Sequence, residues 1–523
     1  MTLPRKHAIE GAAADRCYQA ALSRDARFDG CFFTCVTSTK IYCRPVCRVK
    51  APKRENCWYV QHAAQAESAG YRPCMRCRPE LAPHSLIWST QDASHTLALQ
   101  AAHLWDDTSS RVKAGASAGQ ASLPSVAQAA AKLGVSDRHL RRIFEAHLGV
   151  SPLQYLQTRR LLCAKQLLTD TRLPIADIAL ASGFASLRRF NAAFVQHYRF
   201  NPTQLRKNSQ GPSTSFSSQA SLAKRADASC ITVHLAYRPP YDVGHMLAFA
   251  LKRQIDTIET VAACAAFPWA ARTFSLQNAG TLHSGWLRYS FNAAQHTVAL
   301  QVSDSLCYAL PTVIARMRAA LDLDADPHAI NAVLGAHFVG SEGIRVPGCA
   351  DGFEVAVRAI VGQQVSVAAG RTLTQRIVQT FGNAIETPYP ELTRLFPAAA
   401  ALAHAAPAAL GALGIVKQRQ AAIIALAQAV GSGALNLNTP ANALATIEQL
   451  KALPGIGDWT AQYIAMRALR WPDAFPAGDV ALHNALGLRG DKHPARAAEA
   501  ASQAWRPWRS YAVLRAWQTL LNQ

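Results

Sequence analysis

Negative charge is scarce in this sequence, and so is any stretch of the kind that enters a membrane. The segment Met1 to Asp15 has no apolar core, so no export signal is expected. The longest uncharged run, residues 395–416, has the length to span a bilayer. It is mostly alanine, however, and is interrupted by Pro397, His404 and Pro407, which predicts two short packed helices instead. No membrane partner is expected, and residence in the cytoplasm, at the bacterial nucleoid, follows. Acidic residues number 33 against 54 Lys plus Arg, giving a net charge of +21 and a pI near 9.7. That balance points to a polyanionic partner. Cysteine is absent after Cys349, while eight of the thirteen fall before residue 78. In a reducing compartment such clustering argues for metal ligation or thiol chemistry over disulfides.

The 523 residues suggest three or four domains, and half of them are hydrophobic, so the chain is globular. The charge is uneven. Residues 1–85 carry 14 basic against 7 acidic side chains, and residues 121–208 carry 13 against 4.

Within residues 1–85 the cysteines form three close pairs: Cys31 with Cys35, Cys43 with Cys47, and Cys74 with Cys77. Zinc takes four thiolates in a tetrahedron, built from two close pairs, and on spacing alone the first pair competes. The stretch from Gly30 to Thr39 alternates with a strand period, which favours Cys31 and Cys35 as core cysteines. Cys43-Arg-Pro-Val-Cys47 and Tyr71-Arg-Pro-Cys-Met-Arg-Cys77 sit in Arg- and Pro-marked turns, where ligand loops belong. A purely structural zinc site fits the same spacing.

Residues 86–120 predict an early helix and a linker. Beyond them Phe144, His147, Pro152 and Gln154 recur as Phe194, His197, Pro202 and Gln204, an internal repeat of 50 residues. In the first copy a short helix from Val126 is followed by a turn at Gly134 and a cap at Ser136. Leu140, Ile143, Phe144 and Leu148 then form an apolar stripe, with Arg138, Arg141 and Arg142 on the other face. The second copy has a turn at Ser182-Gly183, Phe190 and Phe194 inward, and Arg188 and Arg189 outward. This is the pattern of a doubled helix-turn-helix whose outward arginines face DNA. Residues 208–229, rich in Ser, predict a flexible linker.

From about residue 230 onward, alternating runs near 229–237, 286–291 and 296–302 predict a small sheet, and the remainder is helical. In Leu453-Pro-Gly-Ile-Gly457, two glycines and a proline interrupt helix to make a tight hairpin. The new helix opens with free backbone N–H groups, a seat for a phosphate oxygen or a shared cation. Asp479 follows 22 residues after Gly457.

The two Arg- and Pro-marked cysteine turns, Cys43 to Cys47 and Tyr71 to Cys77, resemble those of the Ada-type methylphosphotriester repair proteins. The resemblance implies that Cys43, Cys47, Cys74 and Cys77 hold one zinc ion and that Cys43 accepts a methyl group. The doubled helix-turn-helix resembles the AraC-type DNA-binding domain. Residues 230–523 resemble the helix-hairpin-helix DNA glycosylases, specifically the AlkA-type DNA-3-methyladenine glycosylase II. That likeness runs through the hairpin, Pro239 to Phe249, Ala359 to Val367 and Trp505 to Tyr511. It implies Asp479 as the catalytic carboxylate and Trp459, Tyr463, Trp517 and Phe249 as the base pocket. Gly455, Gly457, Gln363 and Gln364 become DNA-contacting positions, with a monovalent cation at the hairpin. Lyase-type members carry a lysine where Trp459 stands, and their iron-sulfur relatives need downstream cysteines, so neither chemistry is expected here. Gln364 stands in place of a leucine wedge, Gly478 in place of an acidic neighbour of the aspartate, and Gln518 in place of a pocket tyrosine. The Pro-Cys-His-Arg motif of the alkylguanine methyltransferases is absent.

The expected architecture is therefore multidomain, mainly α with α+β parts. A small zinc α/β domain (1–85), a linker with an early helix (86–120), an all-α double helix-turn-helix (121–207) and a second linker (208–229) come first. A glycosylase sheet subdomain (230–310) and a helical helix-hairpin-helix domain (311–523) follow. The expected function joins a transcriptional activator that senses methylphosphotriesters to a hydrolase that excises alkylated purines, with double-stranded DNA and RNA polymerase as partners. The alternative is a zinc-dependent transcription factor whose C-terminal part only binds DNA.

Overall fold

Hydrophobic periodicity and cap residues account for most of the helices in the computed structural model, which describes residues 8–83, 93–106, 112–113, 121–122, 125–171, 173–209, 230–263, 267–278, 281–438 and 443–520. The linker expected at 208–229 lies, from residue 210 onward, outside the described residues, as do parts of 86–120. The chain divides into two compact units.

The first unit comprises residues 1–239, 276–283 and 292–315. Its N-terminal sheet has four strands in the order Cys57–Val60, Phe33–Val36, Ile41–Cys43, Arg72–Pro73, the last pair parallel and the others antiparallel. Cys35 lies opposite both Tyr42 and Trp58 and is fully buried in their core, which is the core-cysteine reading of the sequence. Cys31 is half-buried.

Helices follow in the expected doubled pattern. Val126–Lys132 and Asp137–Leu148 form the first copy, Ile175–Ala181 and Leu187–Tyr198 the second, and the long Pro152–Asp170 helix lies between them. Gly134 and Gly183 take left-handed backbone at the two turns. Ser136, Ser151 and Ser186 each cap the next helix through a side-chain oxygen. The early helix, Ala93–Asp106, is not a free-standing element. Its Ala98, Ala101 and Trp105 share a core with Leu140, Phe144 and Leu156. Strands Cys230–Ala236 and Thr297–Ser303 pair antiparallel in this unit, and Arg238 donates to the carbonyl of Asp29 at 2.7 Å.

Charged side chains also tie the sheet region to the helices. Arg78, the residue after Cys77, makes two hydrogen bonds to Asp170 at 2.7 and 2.9 Å. Glu80 receives Lys165 at 2.5 Å, with both side chains almost fully buried. Glu67 accepts from Tyr42 at 2.8 Å and pairs with His197 at 2.7 Å.

The second unit comprises residues 240–275, 284–291 and 316–523 and is largely helical. Strands Glu259–Ala262 and Trp269–Asn278 pair antiparallel, and neither was anticipated in the sequence. The alanine-rich run at 395–416 forms two short helices, Ala399–Ala403 and Pro407–Ala412, as its prolines predict. No described helix is long and apolar enough to cross a membrane.

Candidate functional site

In the first unit, Cys43 ends a strand, Cys47 closes the Arg44-Pro-Val turn, and Cys74 and Cys77 lie in the turn after Arg72–Pro73. The backbone N–H of Cys74 donates to the carbonyl of Tyr42 at 2.9 Å, which fixes the second turn beside the first. All four sulfur atoms lie within 4.8 Å of one another, and Sγ of Cys47 and Cys74 are 3.9 Å apart. A tetrahedron with zinc–sulfur bonds of about 2.3 Å has edges of about 3.8 Å, so the donor set and its spacing fit zinc. Among the described residues no other such cluster occurs.

The thiols feel one another strongly. Hydrogen bonds from Cys43, Cys47 and Cys77 pull the Cys74 thiol down, and the neighbouring thiols together with burial push Cys43 up. Four thiolates in this volume repel unless a cation sits among them. Arg44, which the sequence reading passed over, supports the cluster. Its backbone N–H donates to Sγ of Cys77 at 3.3 Å, its Nη1 to the carbonyl of Cys77 at 3.0 Å, and its side chain pairs with buried Asp29. The partner is distant in sequence, and no local signal marks it.

Arg138, Arg141, Arg142, Arg188 and Arg189 are all exposed on the Asp137–Leu148 and Leu187–Tyr198 helices. Arg141 is tethered to Asp137 at 2.9 Å, and Arg142 contacts His139 at 3.2 Å.

In the second unit the hairpin joins helices Ala443–Lys451 and Asp458–Arg467. Gly455 has φ +75°, and a Cβ there would meet Ala422 Cβ at 3.1 Å and the Gln418 carbonyl at 3.2 Å. Gly457 is different: its φ is −83° and a Cβ would stand in open space. It caps the new helix without any side-chain cap, which leaves the first N–H groups free. Gln363 reaches across from its own turn, donating Nε2 to the Gly455 carbonyl at 3.0 Å and to Thr460 Oγ1 at 2.8 Å. Gln364 is exposed and left-handed at φ +52°. Thus Gln363 braces the hairpin from within, while Gln364 points its strained backbone outward with exposed Val365 and Val367 nearby.

Trp459 and Tyr463 are four residues apart and share a helix face. Their rings stack at 5.4 Å, and Trp517 lies 6.5 Å from Tyr463. Asp479 is 9% exposed and takes three N–H donors. Trp459 Nε1 donates to Oδ2 at 2.9 Å, Trp517 Nε1 to Oδ1 at 3.0 Å, and the Leu482 backbone to Oδ1 at 2.7 Å. The last bond makes Asp479 the N-cap of helix Val480–Ala485, a local role that coexists with its place among the aromatics. Three N–H donors thus converge on the two oxygens of one side chain, two of them from indole rings and one from the backbone.

The loop before Asp479 is held from the Trp505–Tyr511 segment. Arg509 pairs with buried Asp473 at 2.7 Å, and Ser510 Oγ donates to the carbonyls of Trp471 and Ala474 at 2.7 and 3.1 Å. Asp242 caps helix Val243–Arg253, which carries Phe249. The arginines Arg253 and Arg467 were missed in the sequence, although each follows a named aromatic by four residues. Arg253 lies 3.7 Å and Arg467 4.8 Å from the centroid of Phe249. Arg467 Nη1 also donates to Tyr463 Oη at 2.9 Å. Burial works against ionising the Tyr463 phenol, but the two guanidinium groups outweigh it and the phenol is lowered.

Four family models match in order along the chain. The metal-binding domain of Ada covers residues 16–80, and a helix-turn-helix domain covers 129–208. The AlkA N-terminal domain covers 232–351, and the HhH-GPD superfamily of base excision DNA repair proteins covers 357–510. The sequence is 36% identical over 517 residues to the probable bifunctional transcriptional activator/DNA repair enzyme AlkA of Mycobacterium tuberculosis, spanning 97% of this chain and 96% of the relative. Over 285 residues it is 36% identical to DNA-3-methyladenine glycosylase 2 of Escherichia coli, 54% of this chain and 96% of that one. The bifunctional transcriptional activator/DNA repair enzyme AdaA of Bacillus subtilis is 30% identical over 202 residues, 38% of this chain and 84% of that protein.

Proposed function

The chain belongs to the family of AlkA-type bifunctional transcriptional activators and DNA repair enzymes, and from that premise we propose how its residues divide the work. The second unit is a monofunctional DNA glycosylase for alkylated purines, 3-methyladenine among them. A base must leave the duplex stack before its glycosidic bond is accessible, and Trp459, Tyr463, Trp517 and Phe249 offer it aromatic surfaces. A purine methylated at N3 or N7 is cationic, so it departs with little proton assistance. As the C1′–N bond breaks, the sugar becomes oxocarbenium-like, and the Asp479 carboxylate stabilises that charge. A water oxygen then bonds to C1′ and gives up a proton to solvent, and the base, which left neutral with the electron pair of the broken bond, is released. The observation that carries this reading is the Asp479 carboxylate held between two indole N–H groups.

Gly455, Gly457 and the free N–H groups after them seat a backbone phosphate, with Gln364, exposed beside the Gln363 that braces the hairpin, as a further DNA-contacting position. A monovalent cation at the hairpin would share the turn carbonyls, of which that of Gly455 already accepts from Gln363.

In the first unit Cys43, Cys47, Cys74 and Cys77 hold zinc, which when bound keeps the sulfurs deprotonated at neutral pH. Cys43 attacks the methyl carbon of a methylated phosphate: the S–C bond forms, the C–O bond breaks, and an ordinary phosphodiester anion leaves. The transfer removes one negative charge from the protein, which reduces repulsion from DNA and makes repair a binding signal. Arg138, Arg141, Arg142, Arg188 and Arg189 then read promoter DNA, recruiting RNA polymerase.

The deciding experiment treats duplex DNA with a methylating agent and follows free 3-methyladenine by chromatography. Release by the unmodified protein and its loss in Asp479→Asn are the expected results. A stoichiometric methyl group on the Cys43 peptide, found by mass spectrometry, tests the other half.

A further inference from the structure

Two guanidinium groups at the aromatic site have no part in the hydrolysis described above. Trp459, Tyr463 and Arg467 recur every four residues along one helix, so contacts run from Asp479 through Trp459 and Tyr463 to Arg467. Arg467 is fixed: its Nε donates to the Pro347 carbonyl at 2.8 Å and its Nη2 to that of Gly348 at 3.1 Å. Arg253 has no such backbone anchor among the described residues. Its guanidinium carbon lies over the Phe249 ring at 3.7 Å from the centroid, and its one side-chain hydrogen-bond partner there is the Tyr463 phenol.

Neither arginine has a carboxylate partner among the described residues. The nearby acids Glu259 and Glu354 are both taken by Arg272 and Arg358. A cavity of about 100 Å³ lies here, lined by Phe249, Arg253, Arg467 and Cys349 among others. Of the four aromatics only Phe249 lines it, together with Arg467, which holds the Tyr463 hydroxyl at 2.9 Å. Burial lowers Arg253 from its usual value, yet a guanidinium stays protonated at neutral pH and offers only donors. The inner end of the slot is therefore rich in N–H donors.

A base entering with its glycosidic nitrogen at Asp479 turns its far edge toward this end. On that edge guanine carries the O6 carbonyl, an acceptor, and adenine the N6 amino group, a donor. We propose that Arg253 is a specificity-determining residue that reads this edge and favours 7-methylguanine over 3-methyladenine. An O6 placed there receives a charge-assisted hydrogen bond. An N6 amino group meets donors with a donor, leaving both unpaired.

This inference rests on the glycosylase reading, and one substrate tests both. Duplex DNA methylated with dimethyl sulfate carries both lesions, and the full-length, zinc-loaded protein is incubated with it while both free bases are quantified. In Arg253→Met the rate ratio of 7-methylguanine to 3-methyladenine release falls about tenfold or more, one base-edge contact's worth of discrimination. Arg253→Lys keeps a cation but loses the fork, and recovers part of the ratio. A ratio that stays within about twofold in folded Arg253→Met overturns the proposal, as does proportionate loss of both bases. If that variant does not fold, Arg253→Lys decides alone: a ratio equal to that of the unmodified protein overturns it. Should the unmodified protein free 3-methyladenine but no 7-methylguanine, the Arg253 proposal fails and the glycosylase reading stands. Release of neither base sinks both.

Discussion

Trp517 donates its indole N–H to Oδ1 of Asp479 at 3.0 Å, from a helix 38 residues further along the chain. Trp459 donates to the other oxygen at 2.9 Å. The carboxylate is thus aimed by two indole rings that both lie beside Tyr463.

Trp517→Phe keeps a ring and removes the donor. A hydrogen bond to a charged acceptor contributes about 1.5–3 kcal/mol, which corresponds to a fall of about ten- to a hundredfold in base release. Melting temperature should fall as well, since the same bond contributes to folding, although the Leu482 N–H still caps the same oxygen at 2.7 Å. Single-turnover release of 3-methyladenine, measured beside thermal melting, separates the two effects. A variant as fast as the parent would show that the indole N–H does not position Asp479.

The two hairpin glycines should respond oppositely to alanine. At Gly455 the left-handed φ of +75° and the contacts near 3.1 Å both resist a Cβ, and strain of this kind costs about 1–3 kcal/mol. Gly455→Ala should therefore lower the melting temperature and weaken duplex binding together. At Gly457 the space is open and φ is ordinary, so Gly457→Ala should fold normally. Any loss of DNA affinity in that variant reports the close approach of a phosphate to the helix N-terminus. Melting curves and fluorescence-anisotropy titrations at fixed salt read both.

The four sulfurs of Cys43, Cys47, Cys74 and Cys77 crowd within 4.8 Å and need a cation to be ionised together. Chelation should remove a single zinc ion per chain, measured by atomic absorption, and lower the melting of the first unit. Cys47→Ser should prevent reconstitution. Cys35→Ser should retain zinc in full, because Cys35 is buried between Tyr42 and Trp58 and belongs to the sheet core.

Much of this was legible in the chain because its signals are local. The cap at Ser136, glycine turns at Gly134 and Gly183, and the spacing of Leu140, Ile143 and Phe144 each act within a few residues. The short helices at 395–416 follow from two prolines. What escaped depends on distant partners. Strand Trp269–Asn278 has no clean alternation, and its pairing with Glu259–Ala262 is set by tertiary contacts. Arg44 and Asp29, or Arg78 and Asp170, meet only after folding. Arg253 and Arg467 could have been found, since each lies one helical turn beyond an aromatic already singled out.

The ion pairs that join sheet and helices in the first unit give its stability two opposite dependences on pH. Burial opposes charge on Glu80, but Lys165 and Arg78 outweigh it, so its carboxyl is lowered from 4.5. A carboxyl lowered in the folded state stabilises fully above its unfolded value, and that contribution is lost as pH falls below about 4.5 through the folded value. Burial likewise opposes charge on His197, and Arg199 adds to it, yet the Glu67 carboxylate at 2.7 Å outweighs both and raises the imidazole above 6.5. Its contribution is complete below 6.5 and is lost as pH rises through the raised value. The two pairs should therefore both contribute in full only between about pH 4.5 and 6.5, and their part of the stability of the first unit should decline on both sides of that window. His197→Asn should flatten the alkaline decline and leave the acid limb in place. An alkaline limb unchanged in that variant would assign the dependence to groups other than the Glu67–His197 pair, which joins the Ala63–Ser68 helix to the Leu187–Tyr198 helix.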